Sequence, residues 1–392
     1  MIYLDYNATT PTDEKVVEAM LPYFSDNFGN PSSSYRLAHT SLKAKEEARE
    51  KVALLIGAKP NEIVFTSGGT EADNFAIKGV AFANHRHGGI SDKSKGNHII
   101  TSTIEHHAVF NSCKWLEEQG FKISYIPVDK YGTIDLNKLK DSITDKTILI
   151  SVMHANNEVG TIEPINEIAK LANKNGIYFH TDAVQTTAKV PINVHNMCID
   201  LLSLSAHKFY GPKGVGALFI KKGTKMDEFM HGGHQEKGMR AGTENIPGIV
   251  GLGKACELAI QNQYAEEERI KTLRDKLENK ILNGIDEVIL NGHPTNRLAG
   301  TLNVCIKYVE GESMLLDLDS EGICASTGSA CTSGSFDPSH VLVAMGVSPV
   351  TAQGALRFSI GRYTTEKDID KVIEVLPRIV ERLRKMSPLY KK

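Results

Sequence analysis

The 392-residue chain has no CxxC pair, no surplus of either charge and no run near the roughly 20 apolar residues a membrane helix needs. Each absence removes a class of function. Six cysteines, Cys113, Cys198, Cys256, Cys305, Cys324 and Cys331, are scattered singly, which speaks against a disulfide framework and a zinc ribbon and leaves reduced thiols as the expectation. With 45 Lys and Arg against 47 Asp and Glu, the formal net charge is −2. The chain therefore lacks the cationic excess that neutralises nucleic-acid or anionic-membrane phosphates, and neither is expected as a partner. The opening MIYLDYNATTP has no basic region ahead of an apolar stretch, so a cytoplasmic protein is expected. Internal repeats and low-complexity tracts are missing too. What remains is ordinary globular composition, 41% hydrophobic and 23% charged, enough for one large core and one smaller core.

Between residues 60 and 220 short β-rich runs alternate with helical stretches: EIVFT (62–66), NHIITS (97–102), FKISYI (121–126), TILISV (147–152), IYFHTD (177–182), DLLSLS (200–205) and VGALFI (215–220). This alternation predicts an α/β fold with a mainly parallel seven-stranded sheet covered by helices on both faces, and ligands at the carboxyl ends of the strands. A long helical pattern over 242–282 leads to a smaller α/β domain. It contains strand-like GTLNVCI (300–306) and GALRFSIG (354–361), a Gly- and Ser-rich loop (326–335) and a closing amphipathic helix over 364–386. The expected division is a large domain over 15–260 and a small one made of 1–14 and 261–392.

The chemistry-bearing residues fall at the predicted strand ends. TSGGTEADN (66–74) follows a strand and opens a helix, so its N–H groups and the Thr70 hydroxyl suit a phosphate; alone it reads equally well as a glycine turn with Thr70 as cap. LSAHKFYGPKG (204–214) sets Ser205, His207 and Lys208 together before a Gly-Pro turn, where burial would lower a lysine pKa toward what Schiff-base chemistry needs. HTDAVQ (180–185) supplies Asp182, the type of group that partners the pyridine nitrogen of pyridoxal 5′-phosphate, and Gln185. His106 in IEHHAV suits stacking on a flat ring or capping a helix, and Asn157 suits donation to a ring oxygen or a plain turn. Arg357 offers a fork that matches a substrate carboxylate. Cys331 stands among small residues in STGSACTSGS, whereas a structural cysteine would sit among large apolar ones, so it reads as a nucleophile; Cys324 in EGICAS reads as buried and inert.

Taken in order, YLDYNATTP, FGNPSS, TSGGTEADN, EHHAV, NNEVGTIEPI, HTDAVQ, SLSAHKFYGPKG, RAGTEN, GSACTSG, PSHVL and RFSIGR resemble the cysteine desulfurases of the NifS/IscS type, in the class V branch of the pyridoxal-phosphate aminotransferase fold, nearly end to end. The resemblance implies an enzyme that converts L-cysteine to L-alanine and passes sulfur to Cys331 as a persulfide, for iron–sulfur assembly or other thio-cofactors. It implies phosphate contacts from Gly69, Thr70, Ser205 and His207, with Thr243 in RAGTEN reaching across from the second subunit of a homodimer. It implies ring-oxygen contacts from Asn157 and Gln185, a ring-nitrogen contact from Asp182 and His106 on the ring face, with Lys208 as covalent anchor and base and Arg357 with Asn157 on the substrate carboxylate. His106 is also a candidate acid or base. No resident metal is implied, although Cys331 stays open as a transient iron–sulfur ligand. A sulfur-acceptor protein such as an iron–sulfur scaffold is the implied partner. GSACTSG resembles the branch with a longer cysteine loop rather than the selenocysteine-preferring one. Tyr35 and Ala38 depart from the His and Gly the family commonly carries after FGNPSS. The rival readings are another class V enzyme, an aminotransferase or a cysteine/selenocysteine lyase, that needs no thiol, and a scaffold that has no use for Lys208.

Overall fold

The computed structural model describes residues 1–86, 96–328, 337–388 and 390. All seven predicted runs form strands: β2 (Ile63–Thr66), β3 (His98–Ser102), β4 (Lys122–Ile126), β5 (Thr147–Ser151), β6 (Tyr178–Asp182), β7 (Leu201–Ser205) and β8 (Gly216–Ile220). They join one sheet in the order β2-β8-β7-β6-β5-β3-β4. It is parallel except at β8, which runs antiparallel to both of its neighbours. The expected mainly parallel α/β architecture is therefore present.

Strands β3, β5 and β7 are buried along their whole length, as strands covered on both faces must be. Because successive side chains point to opposite faces, neighbouring residues feed two different cores. Ile99, Leu149, Leu201 and Leu218 pack with Phe75, Ile77, Val80 and Leu116 from the helices Gly69–Arg86 and His107–Glu118. Ile100, Ile150, Leu202 and Phe219 pack instead with Val52 and Ile56 of the helix Arg36–Ile56 and with Leu252.

A second unit holds the three-stranded antiparallel sheet of β9 (Val288–Asn291), β10 (Thr301–Ile306) and β12 (Ala355–Ser359). Its core joins Val304 and Phe358 to Ile369, Val372 and Leu376 of the closing helix Glu366–Met386. The first residues belong here: Leu4 lies in this core, and β1 (Ile2–Tyr3) pairs parallel with β11 (Ile323–Cys324). The long helix Ile246–Gly284 joins the units, with Ile249 and Leu252 in one core and Leu277 and Ile281 in the other. It starts four residues later than the pattern predicted. The Asn245 side chain caps it by accepting the Gly248 N–H at 3.1 Å, and Pro247 occupies its first turn, so RAGTEN is a preceding loop. Among the described residues, no helix is long and apolar enough to cross a membrane.

Candidate active site

The parallel topology brings the carboxyl ends of β3, β5, β6 and β7 to one edge, beside the turn that follows β2. A cavity of about 190 Å³ lies there, and ten of the twelve predicted residues line it: Gly69, Thr70, His106, Asn157, Asp182, Gln185, Ser205, His207, Lys208 and Arg357. Thr243 is exposed in the loop before the long helix and does not line it. Cys331 lies outside the described residues. The residues flanking its segment attach beside the cavity: Ser326 exchanges backbone hydrogen bonds with Arg357 at 3.1 and 2.6 Å, and the Ser339 hydroxyl donates to Glu158 at 2.5 Å. Tyr35, half exposed at the start of the helix Arg36–Ile56, and buried Ala38 do not line the cavity.

Lys208 ends a 3₁₀ turn, Ala206–Lys208, at the close of β7. Its ammonium donates to the carbonyls of Asn7 and Ala8 at 2.6 and 2.8 Å, so the NATT segment forms a wall of the site. His106 is the N-cap of the helix His107–Glu118: its Nδ1 accepts the Ala108 N–H at 3.1 Å, which places the proton of the neutral ring on Nε2. Burial, aided by Lys208, lowers its pKa to about 4, so the ring is neutral at pH 7. His207 is neutral for the same reasons, lowered to about 4 by burial first and then by Lys208.

Asp182 sits at the end of β6, accepting the Val184 N–H at 2.9 Å. Burial raises its carboxyl to about 6, against the pull of that hydrogen bond and of Lys208. Beneath it lie two carboxyls that the sequence reading missed, Asp73 and Glu105. Burial, then Asp182, pushes Asp73 well above the usual range, and burial lifts Glu105 to about 8. A buried, neutral His180 lies beside Asp73 at 3.6 Å, bonded to Ser151 at 2.8 Å and Ser203 at 3.0 Å.

Arg357 is 1% exposed. One terminal nitrogen donates to the Asn157 carbonyl at 3.0 Å and the other to Asp5 at 2.8 Å, while its buried Nε has no partner. Among the described cysteines, burial pushes the thiols of Cys113, Cys256, Cys305 and Cys324 up, which disfavours a thiolate at any of them; Cys324 is half-buried rather than enclosed. Among the described residues no group of three or more His, Cys, Asp and Glu could hold a metal ion.

This donor set suits a ligand that carries an anion, a cation and a carbonyl at once. A phosphate fits the N-terminus of the 18-residue helix Gly69–Arg86, where a Cβ added at Gly69 would meet Val184 at 2.7 Å. A ring cation fits the destabilised Asp182, an aldehyde fits Lys208, and a carboxylate fits the unpartnered Nε of Arg357. The family model of class V aminotransferases matches residues 2–372. The chain belongs to that family. Its cofactor is pyridoxal 5′-phosphate, and the cavity carries a residue for each part of it. Among class V relatives, the chain is 57% identical to a cysteine desulfurase IscS of Methanosarcina thermophila, over 100% of this chain and 95% of the relative. It is 55% identical to a cysteine desulfurase IscS of Dictyoglomus turgidum, over 99% of this chain and 96% of the relative. A solved NifS-like protein superposes with a TM-score of 0.90 at 38% identity, covering 97% of this chain and 100% of the other. SspA in complex with cysteine superposes with a TM-score of 0.81 at 39% identity, covering 93% and 100%.

The functional residues missed at the sequence level are Asn7 and Ala8, which receive the lysine, Asp5, which holds Arg357, and the Asp73–Glu105 layer. Each stands inside a motif quoted for the resemblance, so a signal for position existed; the pairings span up to 352 residues and were not readable.

Proposed function

We infer that this class V enzyme is a pyridoxal-phosphate-dependent cysteine desulfurase, converting L-cysteine to L-alanine and moving the sulfur to Cys331 as a persulfide. The observation that carries it is a buried arginine with an unpartnered Nε, within a cavity that also holds Lys208 and Asp182, at the point where both flanks of the Cys331 segment attach. When bound, pyridoxal 5′-phosphate supplies the electron sink that weakens bonds at the substrate's α and β carbons. Gly69, Thr70, Ser205 and His207 would hold its phosphate, Asp182 its ring nitrogen and Asn157 and Gln185 its ring oxygen, with the neutral His106 ring available to its face. Arg357 and Asn157 orient the substrate carboxylate. Lys208, whose Nζ stands in the cavity beside the Asn7 and Ala8 carbonyls, would anchor the cofactor aldehyde and serve as the base that takes the α-proton. The Cys331 thiolate would attack the substrate sulfur: an S–S bond forms as the Cβ–S bond breaks, the electron pair passes to Cβ and is protonated there, and return of the α-proton from Lys208 to Cα completes alanine.

We further propose a cytoplasmic homodimer in which Thr243 serves the partner's site, and an acceptor protein of the iron–sulfur scaffold type that collects the sulfur from Cys331. The division into 15–260 and 1–14 with 261–392 is supported by separate cores, one running from Val16 to Leu258 and one joining Leu4 to Ile270 and beyond.

The test is anaerobic turnover with L-cysteine and a thiol reductant, scoring alanine and sulfide together. Equal yields from the wild type and neither from Cys331→Ser are expected. Full turnover by Cys331→Ser would sink the persulfide step and favour a class V lyase, and retained yellow colour in Lys208→Ala would remove the cofactor assignment.

A further inference from the structure

Gln185 is 5% exposed and lines the cavity. Its Nε2 donates to the Asn7 carbonyl at 3.0 Å, the same carbonyl that accepts from Lys208 at 2.6 Å. Its Oε1 accepts from the ammonium of Lys189 at 3.4 Å. That bond is long, but its sign decides the amide's orientation. Turning the amide over would face Oε1 against the Asn7 carbonyl and an NH₂ against an ammonium, and both contacts would repel. With Oε1 committed to Lys189 and one hydrogen to Asn7, the second amide hydrogen remains for a ligand.

Lys189 is set there by an unusual backbone. Ala188, just before it, has φ 68°, a left-handed conformation that costs a residue with a side chain about 1 kcal/mol or more and persists only where its surroundings enforce it. Lys189 also lines a second, smaller cavity of about 30 Å³, shared with Asn7, Lys208, Tyr210, Glu266 and Glu267, roughly the space of one or two waters. The charged groups around the ammonium are Glu266 and Glu267 from the long helix, Arg357 from β12, Arg362 beyond it, and His207 and Lys208 from the turn after β7. Burial lowers its pKa to about 8, Glu267 opposing and Arg357 adding, so it remains mostly cationic at pH 7.

We propose that Lys189 is a positioning residue for the cofactor site, holding the Gln185 amide so that an N–H, not a carbonyl, faces the ring oxygen of bound pyridoxal 5′-phosphate. This rests on the cofactor reading above and adds to it a residue outside the first cavity. A donor at the ring oxygen favours its ionised form, so the pH at which the bound cofactor changes colour is held low while Lys189 is in place.

The experiment is a pH titration of the visible absorbance of the purified holoprotein, for wild type, Lys189→Met, Lys189→Arg, Gln185→Met and the Gln185→Met/Lys189→Met double variant, with circular dichroism at each pH. Lys189→Met should keep its fold and colour while its midpoint rises by about one pH unit, a tenfold change. Lys189→Arg should restore the wild-type midpoint, and the double variant should match Gln185→Met alone. If Lys189→Met does not fold, Lys189→Ala, which puts no apolar stem into the polar cavity, takes its place. An unmoved midpoint in a coloured Lys189 variant overturns the inference, as does a double variant whose shifts add, since that reports a direct field rather than positioning. A wild type that stays colourless with pyridoxal 5′-phosphate removes the cofactor reading, and this inference with it.

Discussion

Replacing Asp182 by Asn should stabilise the cofactor-free protein while destroying its hold on the cofactor. Asp182 is 6% exposed, and its carboxyl is raised from 3.8 to about 6, mainly by burial. A carboxyl raised on folding makes the native state bind more protons than the unfolded chain, so stability falls as pH climbs from about 4 to about 6. Above that window the full penalty is present: about two pH units, or ~3 kcal/mol. Asn keeps the acceptor for the Val184 N–H at 2.9 Å and removes the buried charge, along with the part of the rise at Asp73 that comes from Asp182. For a domain this size ~3 kcal/mol corresponds to roughly 6–12 °C in Tm. Thermal unfolding of apoprotein at pH 8 should therefore find Asp182→Asn higher than wild type by about that amount, with the gap closing by pH 4. Cofactor titration of the same samples should show much weaker binding by the variant. A variant that melts lower than wild type at pH 8, or a gap that ignores pH, would refute the claim that this carboxylate is held at a cost in the empty site.

Arg357→Lys should raise the KM for L-cysteine about 10- to 100-fold with a smaller change in kcat, the loss of a charge-assisted hydrogen bond worth ~1.5–3 kcal/mol; initial rates against substrate concentration decide it. Gly216→Ala should cost about 1–3 kcal/mol and speed cofactor loss on dialysis, because the new Cβ would sit 2.5 Å from the Leu204 carbonyl and 2.8 Å from Gly68, beside the phosphate turn. Glu236→Gln should cost about 1–3 kcal/mol in denaturant unfolding, since it neutralises a buried carboxylate that meets Arg49 with two 2.7 Å bonds and leaves that guanidinium with the half-exposed Glu46 as its remaining anion.

The strands were legible because parallel, doubly covered strands read as short apolar runs, and the site was legible because topology puts functional residues at their carboxyl ends. Ser205 and Lys208 could be placed once DLLSLS was read as a strand. The layer of Asp73, Glu105 and His180 could not. It depends on which strands are neighbours and which face each residue takes, and Asp73 looked like one more polar residue of a helix. The start of the long helix falls later than the pattern suggests because GTEN carries no apolar residue to mark a boundary, which the Asn245 cap and Pro247 set instead. Lys189 escaped notice because its partnership depends on the left-handed turn at Ala188, which alanine does not advertise.

The NATT segment and its neighbours carry one more consequence, for the order of events during synthesis. Asp5 meets Arg357, and the Asn7 N–H meets the Ser359 hydroxyl, each across 352 residues. Other partners of that segment lie in the large unit, Thr10 on His207 and Asn7 on Asn157 and Gln185, so a growing chain can seat it there before Arg357 and Ser359 are made. Until those two arrive, the wall beside Lys208 lacks its anchors in the small unit. Loss of one such anchor should therefore weaken the site more than the fold: Ser359→Ala should slow the appearance of colour more than that of secondary structure on refolding.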